Sequence, residues 1–191
     1  VRYNSKRFPG KPLRPILEKP MMWHTYNRVQ NCQKIQKTLL TTDDERISNK
    51  AKELKIPHIV TSTDHKSGTD RVREAANILD LPENTIVFNI QGDEPCFPPT
   101  LLDKIVDSFQ DPEVKVCTGA SPLHIDEIDD PNSVKVVQTY DNKALYFSRS
   151  PIPYTKKDNS HSLHIGIYAF RLSILQKFSE LKESPLEKLE K

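Results

Sequence analysis

The chain is 191 residues long, 36% hydrophobic and 28% charged, with a formal net charge of +2, the profile of one folded domain able to bury a core. So small a charge without a basic block argues against nucleic acid or an anionic membrane as partner, and no apolar run approaches the ~20 residues of a membrane span. Cys32, Cys96 and Cys117 are odd in number and scattered, and VRYNSKRF lacks the apolar segment of a signal peptide, which together predict reduced thiols and a cytoplasmic protein.

The first stretch, RYNSKRFPGKP, gathers Arg2, Lys6, Arg7 and Lys11 around Ser5 and Gly10. Such a loop offers cations and backbone N–H groups to polyphosphate, although the spacing of a Walker loop is absent; a solvated basic segment is the alternative. Residues 20–32 carry apolar side chains at helical spacing behind a proline, which predicts a helix. Residues 37–42 (KTLLTT) read as a strand, Ile47, Ala51 and Leu54 mark a helix over 44–55, and residues 58–61 (HIVT) form a second short strand. Ser67-Gly68-Thr69-Asp70-Arg71 then occupies a strand–loop–helix junction, with Thr69 as the expected N-cap; the run either contacts a nucleotide or only caps the helix.

Residues 85–90 (TIVFNI) are apolar enough for a strand covered on both faces. Its carboxyl end delivers Gln91, Gly92, Asp93, Glu94 and Pro95, and ligands of open α/β sheets sit beyond such ends. Asp93 suits magnesium, which takes one or two carboxylates together with substrate phosphates; an Asx turn is the other reading. Gln91, both donor and acceptor, suits the edge of a base. A helix over 99–110 and a strand over 114–118 continue the alternation, so the fold class is α/β, a three-layer and mostly parallel Rossmann-like sheet.

The pattern changes after Ser121. Residues 133–149 read as a hairpin about Asp141-Asn142, and 164–170 (HIGIYAF) as a further strand, giving a mixed, β-rich second half. The polar, proline-bounded run PIPYTKKDNSHS between them predicts a mobile surface loop. Arg149 either pairs with a substrate carboxylate through its planar fork or makes a surface ion pair. His164 is a core residue or a site residue, and Glu187 and Glu190 lie on a helix start where a solvated face is the default. His24, His58, His65, His124 and His161 show no metal-ligand spacing, and no G-x-S-x-G motif supports covalent hydrolysis.

SKRFPGKPL resembles the signature loop of sugar nucleotidyltransferases, and DHKSGTDR, NIQGDEP, PNSVKVV, ALYFSRSPIP, HIGIYAF and SPLEKLE resemble the 3-deoxy-manno-octulosonate (Kdo) cytidylyltransferases. The likeness runs over nearly the whole chain. It implies the nucleotide-diphospho-sugar transferase fold and the reaction CTP plus Kdo giving CMP-Kdo and pyrophosphate, for lipopolysaccharide biosynthesis, with Mg2+. It implies Arg7, Lys11 and Asp93 as catalytic residues, with Asp93 on the metal. CTP would also meet Arg2, Ser5, Ser67, Gly68, Thr69 and Gln91. Kdo would meet Arg149, His164, Tyr168, Glu187 and Glu190. A homodimer is implied as well. Sister enzymes for 8-amino-Kdo or sialic acid, and a non-catalytic nucleotide-binding remnant, are the competing readings. The resemblance further implies that residues 1–191 are one incomplete nucleotidyltransferase domain, lacking a first strand beside the one that ends in Asp93. It sets a second metal aspartate beyond Lys191, so that this stretch alone is expected to be catalytically silent and poorly folded.

Overall fold

The structure is a computed structural model describing residues 1–3, 8–65, 67–155, 160–178 and 180–190. Ser5, Arg7 and the centre of the expected mobile loop lie outside the described residues. The chain forms two units, Val1–Cys117 with Ile167–Glu180, and Thr118–Gly166 with Leu181–Lys191.

In the first unit a small ladder, β1 (Pro15–Ile16) with β2 (Lys19–Pro20), is antiparallel about Leu17 and Glu18, both at positive φ. No glycine or asparagine marks this turn, so no local signal announces it. Helix α1 (Met21–Gln30) turns Met22, Thr25 and Val29 inward, the i, i+3, i+7 stripe of an amphipathic helix. Strands β3 (Leu40–Thr42) and β4 (His58–Val60) pair in parallel. The connection between them contains α2 (Glu45–Glu53), which buries Ile47 and Ala51 completely. The Asp44 carboxylate accepts from Arg46 N at its start, so Asp44 caps this helix instead of opening it.

Helix α3 (Gly68–Ile78) begins one turn edge earlier than expected. Its N-cap is Ser67, not Thr69: the Ser67 hydroxyl accepts from Asp70 N while the Asp70 carboxylate accepts from Ser67 N, a complete capping box. Strand β5 (Ile86–Asn89) is followed by α4 (Pro99–Ser108), and α5 (Leu172–Phe178) closes the unit. β5 pairs antiparallel with residues 168–171 of β9 (Ser162–Arg171). Among the described residues β3 pairs only with β4, and β5 only with β9. Both therefore keep one unpaired edge, and both line one cavity of about 1090 Å3 with Met22, Ala75, Leu79 and Val106 on its walls. Val1 lines it as well, and its backbone nitrogen donates to the Thr41 carbonyl at 2.6 Å.

The second unit is mostly antiparallel. β6 (Val116–Pro122), which begins in the first unit, pairs with β9. The expected hairpin is present as β7 (Lys135–Gln138) and β8 (Ala144–Ser148), with Lys135 opposite Ser148 and Asn142 at φ 61 in the turn, a conformation asparagine tolerates. β7 also meets β9 through Lys135 and Leu163. A short α6 (Pro185–Leu189) follows, capped by Ser184.

Candidate active site

Beyond the carboxyl end of β5 the backbone is held close from several sides. The Gly92 carbonyl accepts from the Thr25 hydroxyl at 3.1 Å, and a Cβ at Gly92 would come within 2.7 Å of the Val1 side chain. Gly68 at the start of α3 lies so near Gln91 that a Cβ there would stand 3.2 Å from its amide nitrogen. The two stretches singled out in the sequence, Ser67-Gly68-Thr69 and Gln91-Gly92-Asp93, thus meet in one place. Asn89 ties them by donating to the Thr69 hydroxyl at 3.1 Å.

Lys11 reaches the same place from the basic loop. Gly10, at φ 72, turns the chain under the Tyr3 ring and donates to the Tyr3 carbonyl at 2.8 Å. The following 3-10 turn presents the Lys11 ammonium to the Asp93 carboxylate at 2.8 Å. Both side chains are more than a third exposed, so the pair contributes little to stability while leaving a cation and an anion accessible to a ligand. Glu94, beside Asp93, titrates above the usual carboxylate range, first because it is buried and then because Asp93 is its neighbour. Arg2 donates to the His65 carbonyl at 3.0 Å, and His65 in turn pairs with Glu74.

Two polar residues of this unit prove to be buried: Asn89, and Arg71, which ends the Ser67–Arg71 run singled out in the sequence. Asn89 is 4% exposed and Arg71 1%. The Arg71 guanidinium donates to the Asp43 carboxylate at 2.6 Å, to the Thr61 hydroxyl and to the Ser62 carbonyl at 3.3 Å. It thereby joins the ends of β3 and β4 to α3. A polar residue interrupting the apolar run VFNI was the available signal for Asn89.

Among the described residues no group of three or more His, Cys, Asp or Glu could hold a metal. Magnesium does not require one, since one carboxylate with substrate phosphates and waters completes its shell. The exposed Asp93 carboxylate beside Lys11 fits that donor set.

In the second unit Glu190 is the centre of a polar cluster. Its carboxylate accepts from the Ser148 hydroxyl at 2.7 Å, the Tyr146 hydroxyl at 2.9 Å and the Arg149 N–H at 3.2 Å. These bonds, the Ser148 one foremost, hold its carboxyl below the usual range, and the Tyr146 phenol is correspondingly raised. The Arg149 guanidinium donates to the Pro131 carbonyl at 2.6 Å. His164 shares a hydrogen bond of 3.0 Å with the Thr118 hydroxyl and meets the Phe147 ring edge-on; burial lowers its pKa. Arg149, His164 and Glu190 therefore belong to one unit. Tyr168 belongs to the other, opposite Asn89 in the β5–β9 ladder and stacked on Phe170. Glu187 completes the capping box of Ser184, which is the local role its position on a helix start suggested.

The model of the cytidylyltransferase family matches residues 1–191. The chain belongs to the cytidylyltransferase family. Within that family, the 3-deoxy-manno-octulosonate cytidylyltransferase of Nitratidesulfovibrio vulgaris strain Hildenborough is 46% identical over 197 residues, covering 100% of this chain and 78% of its own length. An 8-amino-3,8-dideoxy-manno-octulosonate cytidylyltransferase of Shewanella sp. strain W3-18-1 is 40% identical, covering 100% of this chain and 80% of its own. A solved CMP:2-keto-3-deoxy-manno-octonic acid synthetase complexed with CTP superposes with a TM-score of 0.91 at 38% identity, over 100% of this chain and 79% of that one. The nucleotide-diphospho-sugar transferase fold expected from the sequence is thereby established. No helix of the described residues is long and apolar enough to cross a membrane.

Proposed function

We propose that the protein transfers CMP from CTP to Kdo, releasing pyrophosphate, as a Mg2+-dependent cytoplasmic homodimer. The observation that carries this reading is the Lys11–Asp93 pair at 2.8 Å beyond β5, beside Gln91 and the Gly68 end of α3. Membership of the cytidylyltransferase family supports it.

In this reading Lys11 and Arg7 take the triphosphate, and the incoming phosphate charge replaces the Asp93 carboxylate as the partner of Lys11. Asp93 is then free to hold Mg2+, which would neutralise the α-phosphate and the departing pyrophosphate. Gln91 reads the base, and the N–H groups of Gly68 and Thr69 stand at a helix start suited to anions. The Ser67 hydroxyl is already committed to capping α3. On the sugar side Arg149 forks to the Kdo carboxylate, with His164, Tyr168, Glu187 and Glu190 as further contacts. The sugar's anomeric hydroxyl attacks the α-phosphorus in line with the leaving pyrophosphate, and catalysis rests on positioning and charge stabilisation. The exposed Tyr140 and Leu145 of the β7–β8 hairpin are the proposed dimer contact.

The test is Asp93→Asn in the full-length protein. It preserves shape, removes charge, and lowers pyrophosphate release at least ~100-fold; a rate near wild type at saturating Mg2+ refutes the assignment. The 40% identity to an 8-amino-Kdo enzyme favours one second reading, in which the acceptor is that amino sugar, and a panel of acidic sugars separates the two.

A further inference from the structure

β7 opens with a lysine that points nowhere near solvent. Lys135 is 0% exposed, one of the largest fully buried side chains in the protein. Its ammonium donates to the Asp130 carbonyl and to the Arg149 carbonyl, each at 2.9 Å. Both partners are uncharged. Burying an ammonium without a carboxylate is costly even when it is hydrogen-bonded, and an apolar side chain would fill an inward strand position more cheaply. The nearby Asp130 carboxylate is directed to its own loop, accepting from the backbone and side-chain nitrogens of Asn132 at 2.8 and 2.9 Å.

The two carbonyls belong to two different segments, the turn entering β7 and the end of β8. Arg149 crosses between the same segments in the other direction, from its guanidinium to the Pro131 carbonyl at 2.6 Å. Its N–H is fixed to Glu190 at 3.2 Å, and Ser148 beside it is fixed to the same carboxylate at 2.7 Å. Lys135 is thus the buried half of a double clamp whose exposed half is the Arg149 guanidinium. Removing it would release the Arg149 carbonyl and withdraw a positive charge from beneath that fork.

We propose that Lys135 is a positioning residue for the acceptor sugar: by gripping the Asp130 and Arg149 carbonyls it aims Arg149 at the carboxylate of the acidic sugar, without touching the sugar itself. This rests on the function proposed above. The test compares the full-length enzyme with Lys135→Met, of similar length and no charge, and with Lys135→Gln, which keeps an N–H donor should the methionine variant fail to fold. The KM for Kdo is expected to rise about tenfold to a hundredfold, the scale on which a displaced positioning group acts, while the KM for CTP stays within about twofold and kcat falls less than the Kdo affinity does. A variant with a lowered melting temperature but an unchanged KM for Kdo, or one in which both KM values rise together, overturns the proposal. Wild-type turnover of CTP with Kdo reports separately on the functional reading. If another acidic sugar is the better substrate, the same ratio is read with that sugar, and turnover with none of them overturns both.

Discussion

Arg71→Met keeps the volume and length of a side chain that is 1% exposed while removing its charge and donors. Asp43 then loses the cation 2.6 Å from its carboxylate, and the Thr61 hydroxyl and Ser62 carbonyl lose a donor. Breaking a buried pair by removing one partner costs about 3–5 kcal/mol, because the survivor is left uncompensated. The Asp43 side chain is 21% exposed and recovers some hydration, so the expected loss is near the lower end, about 3 kcal/mol. For a protein of this size that is a fall of about 6–12 °C in melting temperature. Urea unfolding of the full-length protein, followed by circular dichroism, should show a lower midpoint with an unchanged slope. The double variant Arg71→Met/Asp43→Asn should recover most of the loss, since no orphan charge remains. A single variant within about 0.5 kcal/mol of wild type, or a double variant as unstable as the sum of the singles, would refute the reasoning.

By calorimetry, Lys11→Ala should weaken CTP and leave Kdo unchanged, while Arg149→Ala should weaken Kdo by roughly 1.5–3 kcal/mol, the worth of a charged hydrogen bond; exchanged effects would show the assignment of the two substrates to be wrong. Ser67→Ala removes the capping box of α3 and should cost about 1 kcal/mol in urea unfolding. His164 is held below its ordinary value of 6.5 by burial, so the unfolded chain binds the proton more readily than the folded one. Its neutral form contributes fully above pH 6.5, and stability falls as pH drops from there toward the folded value; His164→Phe should flatten that slope in a pH series of melting temperatures.

The alternation of strands and helices was legible because Ile47, Ala51 and Leu54, or Val72, Ala75 and Ala76, repeat at a period only a helix uses. The candidate site beyond β5 was picked out for a related reason: TIVFNI ends in QGDEP, and an apolar strand has no packing use for that ending. The cap of α3 was misplaced although S-x-x-D at Ser67–Asp70 was available, because two adjacent hydroxyl residues compete for the position and only the reciprocal bonds of Asp70 decide between them. Arg71 and Lys135 were invisible as inward residues, whereas Asn89 was marked by its place in the apolar run VFNI. Periodicity reports apolar stripes, and a buried polar side chain is specified by partners far along the chain, as with Arg71 and Asp43 or Lys135 and Arg149. The separation of Tyr168 from His164 by the unit boundary within β9 likewise follows from long-range pairing that no local pattern encodes.

The unpaired edges of β3 and β5 also make a statement about exchange. The Leu40 amide donates to the Pro57 carbonyl on the β4 side of β3, and the β9 side of β5 is likewise held by its ladder, whereas the alternate amides of Thr41 and Phe88 face the opposite, unpaired edges and exchange more readily. They lie a few residues before Asp43 and Gln91 on their strands. Deuterium uptake along them is therefore a direct gauge of how firmly the candidate site is held, and an extended segment seated between the two strands would slow that uptake on both at once, stiffening the candidate site from behind.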